Sequence, residues 1–579
     1  MAAMRWLDRP LLATIAFAVV LTASLGALQA MTPQSTCTGL VVASSLEKAS
    51  LMQQVAQDFN AKSALTAGCV RVSVEPVASG AAEAGLRAAW PSAYGDRPDV
   101  WSPAASAWLE LSKEHRSTQG LAPLADTINP SLFQSPLVVA LPEPMARALG
   151  WPGRSLGWSD IYQLAEDPQG WARYGHPEWG RFRLGKTNPN ISTSGLHALV
   201  GTYLAATGGK TSDLATQDLQ DPKVVEFVKG VESSVVHYGD TAFTFLTNLR
   251  AADQRGKSLS YVSAIAVEEK EVWNYNRGNV TGDPALGPTS LPPHVLLAAV
   301  YPKEGTLFAD HPYAVLNAPW VTDAKRSAAT RFLEYLLAPK SQSRFQSQGF
   351  RDRFGAPTPT EISARYNLDP SKPSTVLRLP PPQILAAIQA SWTSLRKRAR
   401  VLVLVDVATA SGGATLSAIG QSLTDSLAEL ADDDQVGLSV TPGSKTSLDE
   451  LVRIGPLATT RTALKSKIGG LTAKDGPAAL IDAVHQGLAL LGGAGFDATR
   501  IEAIVLISNG RTSSPVDDLL RELQAQPPDR VIRVFTMAYG NQPDTTALTR
   551  IALASEAGYY RADSPGAFNS LLLSVLSNF

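Results

Sequence analysis

The stretch LVVASSLEKASLMQQVAQDFN, residues 40–60, decides how the fold is read. Leu40 to Ala43 form an apolar run of strand type, Ser44 and Ser45 interrupt it, and Leu46, Leu51, Val55 and Phe59 then recur at helical spacing. VRVSVEPVASGAAEAGLRAA, residues 70–89, repeats the plan, with Val70, Val72 and Val74 alternating before Ser79-Gly80 and a second helix. FRLGKTNPNISTSGLHALVGTYLAAT, residues 182–207, repeats it again: a short strand Phe182 to Leu184, a polar loop Lys186 to Asn190, then Ser192-Thr193-Ser194-Gly195 ahead of Leu196, Leu199, Val200, Tyr203 and Leu204. Small hydroxyl residues at a helix start cap its free amides. The same hydroxyls and amides can hold an anion. A plain cap is the commoner role of one such junction; three in one domain suggest a shared purpose.

The GRFRLGKT segment, Gly180 to Thr187, matches the phosphate-loop pattern G-x-x-x-x-G-K-[ST]. Its context argues against nucleotide binding. ARYGHPEW before it is not an apolar strand, and Pro189 would fall in the first helical turn. The Arg-Phe-Arg-Leu insert alternates like a strand.

The 579 residues allow two or three domains, each with its own core. A composition of 44% hydrophobic and 18% charged residues is that of a globular protein, and a net charge of −1 leaves no footprint for nucleic acid. Leu11 to Ala30 carries no charge, with Arg5 and Arg9 before it and Glu47 as the next charge after it. As a helix it would span about 30 Å, enough to cross a bilayer. The charge asymmetry predicts a cytoplasmic N-terminus, a transmembrane anchor, and the rest of the chain outside the cytoplasm. A cleaved secretory signal is the competing reading, with Leu28-Gln29-Ala30 as a mediocre cleavage site and a secreted product. The two cysteines, Cys37 and Cys69, are expected to form a disulfide outside the cytoplasm. Closing that loop of roughly 33 residues stabilises by about 3–4 kcal/mol.

Residues from about 37 to 355 resemble a type II extracellular solute-binding protein, of the group that contains the molybdate- and phosphate-binding proteins. The resemblance rests on the order of the Ala-Ser-Ser-Leu and Ala-Ser-Gly junctions, PDVWSPAASAWLELS (98–112), SPLVVALP (135–142), LSYVSAIAVEEKEVW (259–273) and RFLEYLLAPKSQSRFQSQGF (331–350). It implies two α/β lobes over residues 37–353, joined by strands near Leu137 to Leu141 and Val295 to Tyr301, with ligand held in the cleft between them. Carried over, Ser44, Ser45, Ser79 and Gly80 would hold an oxyanion from the first lobe, and Thr193, Ser194, Tyr261 and Ser263 from the second. Lys186 and Asn188 are additions to the pattern; Lys186 would favour an anion or serve as a solvated loop charge.

Residues 354–398 are Pro-, Ser- and Thr-rich, then helical, and are expected to form a semi-rigid linker. The basic cluster Arg396 to Arg400 is expected to complement the helix dipole. From Val401 onward, strands at 401–411, 435–440, 501–508 and 531–538 alternate with helices near 415–430, 478–491 and 545–556, which predicts a doubly wound sheet. Residues 399–579 resemble a von Willebrand factor A domain, on IEAIVLISNGR and VIRVFTMAYGNQPDTTALTRIALASEAGYYRADSPGAF. The metal-binding members of that family supply D-x-S-x-S, a Thr and an Asp to a divalent cation. Here Asp406 stands alone: Ala408 and Ala410 replace the serines, Ala478 the threonine and Asn509 the second aspartate, while Thr409 and Ser411 point the other way on an extended chain. No metal is expected there, and Asp406 is expected to be held by hydrogen bonds with neighbours such as Asn509.

Together these readings predict a membrane-tethered extracytoplasmic binding protein without a cofactor. A solute module, for a small anion, is coupled to a domain that binds another envelope or extracellular protein. A ligand-free adhesion scaffold is the alternative. An extracytoplasmic hydrolase is disfavoured: His176, His197 and His237 lie in the second lobe, but neither G-x-S-x-G nor H-E-x-x-H occurs, and His197, on a helix after the Ser-Gly cap, reads as a packed or surface residue.

Overall fold

The computed structural model describes residues 37–579, apart from 67, 127, 210–213, 287–290, 408–412, 442–447, 475–478, 494, 513–514, 541–542 and 563–564. Leu11 to Ala30 lies outside the described residues, among which no helix is long and apolar enough to cross a membrane.

Three sheets organise the chain. The first places Thr38–Ser44 between Val70–Pro76 and Val100–Ser102, all parallel, with the short Ala314–Val315 strand antiparallel at one edge. Residues 40–60 fold as their pattern dictates: the strand runs to Ser44, and Ser45 precedes the helix Leu46–Ser63, whose Leu51, Met52, Val55 and Phe59 face the core. The disulfide Cys37–Cys69 ties the first strand to the approach of the second. The second sheet runs in space as Val235–Gly239, Leu184–Thr187, Ala264–Glu268, Ser135–Pro142 and Leu297–Val300. Every residue of Ser135–Pro142 is buried, as a strand covered on both faces requires.

The chain passes between the lobes slightly away from the expected positions. Ser131 bridges to Pro312, and Ser135–Pro136 pairs antiparallel with Phe308–Ala309, so the return crossing lies near 308–312. Leu297–Val300, expected to cross, is an edge strand of the second lobe.

The third sheet places Ala399–Asp406 between Gln435–Thr441 and Ile501–Ser508, then Arg533–Ala538 and Tyr559–Arg561, all parallel, with Asp449–Pro456 antiparallel at the far edge. The two edge strands escape the sequence reading because half-exposed strands lack the continuous apolar run of central ones.

Residues 354–398 are not a free connector. Leu377 N donates to the Thr306 carbonyl at 2.8 Å, Ala299 N to the Asn367 carbonyl at 3.1 Å, and Ile362 and Leu368 are buried on the second lobe. The helix Pro382–Leu395 then packs on Ala107–Ser117 of the first lobe and on Thr193–Ala206 and Pro222–Ser233 of the second. Its Ile384, Leu385, Ile388, Trp392 and Leu395 are buried there. Arg396, expected to serve the helix dipole, pairs with Asp434 of the third sheet's domain, and Arg400 with Glu502. Arg398 serves the helix end as expected, donating to the Thr393 carbonyl at 2.8 Å and the Ser394 carbonyl at 3.4 Å, and also pairs with Asp433. For Arg396, charge neutralisation by a carboxylate outweighs the partial charge of a helix end.

The C-terminal domain also reaches both lobes. Its last helix, Pro565–Leu576, lies on the Ser92–Tyr94 turn of the first lobe, while the Asn578 carbonyl accepts from Tyr238 N of the second at 3.0 Å. His237, beside Tyr238, is buried; burial and then the nearby Arg533 guanidinium push its pKa down to about 3.

Two outcomes follow from this packing. Reducing the disulfide, or replacing Cys37 and Cys69 together by serine, lowers stability to urea by about 3–4 kcal/mol. His237 stays neutral in the folded chain where the unfolded chain takes a proton near its ordinary 6.5, so its contribution is present above that value and lost on acidification. The stability advantage of the wild type over His237→Gln, measured by urea unfolding, shrinks as pH falls from about 7 to about 4.

Candidate functional site

A cleft lies where the two lobes meet. The three expected helix starts converge on it, Leu46 and Glu47, Ser79, and Thr193 and Ser194, and so does the start of the helix Ala242–Gln254. The lobes are in direct contact at its mouth. Gly80 N of the first lobe donates to the Ile191 carbonyl of the second at 2.9 Å. Trp108 Nε1 donates to Thr193 Oγ1 at 2.8 Å. The approach at Gly80 tolerates no side chain, since a Cβ there would stand 2.0 Å from the Asn190 carbonyl oxygen. The space left in the cleft is about 30 Å³. One water needs roughly 10–15 Å³, so the cleft as closed fits an ion or a very small solute.

The hydroxyls expected to hold a ligand are engaged with the protein. Ser79 Oγ accepts from Ala104 N at 3.0 Å, and Ser194 Oγ lies 3.1 Å from both Thr187 Oγ1 and Ser192 Oγ. Ser44 is fully buried, its hydroxyl on the Ser45 carbonyl at 3.3 Å. Ser45 Oγ donates to the Glu47 carboxylate and accepts from Lys48.

Four of the expected residues lie elsewhere. Lys186 is neither a loop charge nor an anion ligand: it sits in the strand Leu184–Thr187, fully buried, paired with Glu232, which also accepts from the Tyr238 hydroxyl at 2.5 Å. Asn188 faces the C-terminal domain, with Nδ2 donating to the Ser577 carbonyl at 3.2 Å. Ser263 Oγ accepts from Trp171 Nε1 at 2.9 Å and Arg183 N at 3.1 Å, inside the second lobe. Tyr261 is buried beside His237, its hydroxyl 3.5 Å from Nε2. The segment 180–187 therefore ends in a core strand, and its G-K-T match is incidental.

The charge of the cleft comes from residues the sequence reading passed over. Glu47, Asp240, Glu268 and Glu271 line it, and no Lys or Arg does. Glu268 and Glu271 stand where the strand Ala264–Glu268 runs straight into the helix Glu269–Asn276. The signal was the run Glu268-Glu269-Lys270-Glu271 after an apolar strand, too charged to be an ordinary buried junction. Burial first, then the Glu47 and Glu271 charges, hold the Glu268 carboxyl well above the usual range. Burial pushes Glu271 up to about 8, and burial raises Asp240 as well. Behind this wall lie two buried lysines. Lys48 donates to the Pro103 carbonyl at 2.9 Å and Lys270 to Asn274; burial lowers them to about 8 and about 7.

At the edge of the third sheet, Asp406 is fully buried. Its carboxylate accepts from Thr441 Oγ1 at 3.1 Å and Ser508 Oγ at 2.8 Å, and its carbonyl from the Tyr539 hydroxyl. The expected partner Asn509 instead accepts from Arg511 N at 2.9 Å, because Ser508, the last strand residue, is the one beside Asp406. Ala408, Ala410 and Ala478 lie outside the described residues, as do Thr409 and Ser411.

Comparison with known proteins places these features. An uncharacterized protein of Mycobacterium tuberculosis is 23% identical over 520 residues, covering 86% of this chain and 70% of its own. Among solved structures, the periplasmic binding protein AfuA of Actinobacillus pleuropneumoniae, with fructose-6-phosphate bound, shows a TM-score of 0.40 at 13% identity, over 62% of this chain and 99% of that one. A von Willebrand factor type A structure from Catenulispora acidiphila shows a TM-score of 0.27 at 15% identity, over 32% of this chain and 42% of that one. The family model for bacterial extracellular solute-binding proteins matches residues 40–351, more than half of the 579-residue chain. The chain belongs to the bacterial extracellular solute-binding protein family.

Proposed function

We infer that the cleft takes a small cationic solute and that the C-terminal domain joins this module to another extracytoplasmic protein. The observation that carries the reading is the lining itself: four carboxylates and no Lys or Arg around a space of about 30 Å³. The oxyanion expected from the resemblance does not suit it. Such an anion would enter next to Glu47, Asp240, Glu268 and Glu271, while Lys186, the one cation expected to attract it, is paired with Glu232. A cation gains where an anion loses, and the low-dielectric surroundings magnify both effects. The elevated Glu268 and Glu271 carboxyls fit this: burial penalises their ionised forms even with Lys48 and Lys270 nearby, and a bound cation would favour ionisation. The C-terminal domain would bind its partner without a metal at the Asp406 edge, whose carboxylate is already hydrogen-bonded. The N-terminal apolar segment, residues 11–30, would tether the module to the membrane.

A second reading is favoured by the closure. The lobes touch at Gly80 and Ile191, and both the helix Pro382–Leu395 and the C-terminal domain hold each lobe. On that reading the cleft is a permanent joint that exchanges no solute.

Thermal unfolding of the full-length protein against small amines, divalent cations, phosphate, sulfate and molybdate separates the two. A cation at about a hundredfold excess over its Kd stabilises by about 2.7 kcal/mol, and Glu271→Gln removes that shift. Stabilisation by an oxyanion alone would overturn the cation reading; no shift with any solute would establish the permanent joint. Gly80→Ala, whose Cβ cannot fit against Asn190, is expected to hold the lobes apart. Small-angle scattering then shows a larger radius of gyration, and cation affinity falls by at least about tenfold.

A further inference from the structure

His311 stands on the return crossing between the lobes, fully buried, with a backbone φ of 41°. Left-handed φ is uncommon for a residue with a side chain and persists only where the surroundings enforce it. Here His311 N donates to the Ala104 carbonyl at 2.9 Å, and its own carbonyl accepts from Leu132 N at 3.1 Å. The ring is clamped by Phe133 and Phe350, at centroid distances of 4.8 and 5.3 Å. This fixes both nitrogens. Nε2 points to Glu268 Oε2 of the second lobe, 3.5 Å away, and Nδ1 lies 3.6 Å from Glu47 Oε1 of the first. The ring nitrogen Nε2 and the carboxylate oxygen Oε2 are both buried without a hydrogen-bond partner. Such groups are costly unless something pairs with them.

One ligand atom from each of Glu47, Glu268 and His311 falls within 4.8 Å of the other two. An ion between atoms so spaced would lie within about 2.8 Å of each, and tenths of an ångström of side-chain movement reach the 2.0–2.2 Å of nitrogen and carboxylate coordination. A nitrogen with two carboxylate oxygens is the donor set of a divalent transition metal rather than of calcium or magnesium, which take oxygen alone. Opposing charge is present: Lys48 Nζ is 3.3 Å from His311 Nδ1, and Lys270 is buried nearby. Lys48 is held by Ser45 Oγ and the Pro103 carbonyl, and the carboxylates of Glu47, Glu268, Glu271 and Asp310 act on these two lysines.

We propose that Glu47, Glu268 and His311 bind a divalent transition-metal ion, zinc or manganese, that ties the first lobe, the second lobe and the crossing between them. The proposal rests on the cationic reading of the cleft and names its solute class. Each ligand comes from a different part of the fold, so the ion and the closed lobes stabilise one another.

The test is zinc and manganese binding to full-length protein stripped with EDTA, by calorimetry and by competition with a chromogenic chelator. Calcium, magnesium and methylammonium serve as comparisons. One equivalent of zinc or manganese is expected, weakened at least about a hundredfold in Glu268→Gln and in His311→Asn, since asparagine tolerates the left-handed backbone. Glu47→Gln, at a partly exposed position, gives the same loss without disturbing the core. Cobalt should bind with visible absorption bands that His311→Asn abolishes. Stoichiometric metal that survives these substitutions overturns the proposal, because the ion then lies elsewhere. Methylammonium binding without metal binding overturns it too while leaving the cationic cleft in place. Binding of neither defeats both.

Discussion

The helix Pro382–Leu395 is the constraint on which the relative placement of the three sheets depends. It belongs to neither lobe, yet it buries one apolar face against both. Fully burying a large aliphatic or aromatic side chain is worth about 1.5–3 kcal/mol, and five such side chains sit along this face. Trp392 closes the seam, its ring edge-on to Tyr238 at 4.9 Å, while Gln389 Nε2 reaches the Pro189 carbonyl at 3.1 Å. Arg396, immediately after the helix, then pairs with Asp434 and anchors the third sheet's domain. Hinge opening would have to expose part of this face, so the cost of separating the lobes is set outside the cleft.

The same architecture explains how so many charges are tolerated inside. Carboxylates and lysines at the cleft are desolvated together, and burial, the largest cause, moves Glu271 up to about 8 and Lys270 down to about 7. Charges buried in this way persist when each has a partner or when the site serves a ligand. The Lys186–Glu232–Tyr238 group is of the first kind, with its partners satisfied internally at the junction with the linker and the last residues of the chain. The Glu268–His311 pair is of the second kind, with facing atoms that have no hydrogen-bond partner.

The C-terminal sheet shows what a buried carboxylate at the end of a central strand requires. Asp406 stands at the end of a central strand, and Thr441 and Ser508 from the flanking strands donate to its carboxylate. A fully buried carboxylate needs that pairing whether or not an ion is ever present.

The local grammar was legible in the sequence. The three strand–hydroxyl–helix junctions fold close to their expected positions, at Ser44-Ser45, Ser79 and Thr193, because strand and helix periodicities are properties of neighbouring residues. The doubly wound C-terminal sheet followed from the same alternation, and the disulfide from two cysteines in one exported segment. What the hydroxyls face was not legible. Lys186 looked available until folding set Glu232 against it, 46 positions along the chain. Glu47 and His311 stand at opposite ends of the solute-binding domain and meet only because the crossing returns under the first lobe. The sequence by itself determined which segments become strands and helices, and that a two-lobed module precedes a doubly wound domain. Only the tertiary structure decided that the cleft is acidic and strapped shut, because the energy of a buried charge depends on neighbours brought together across the whole chain.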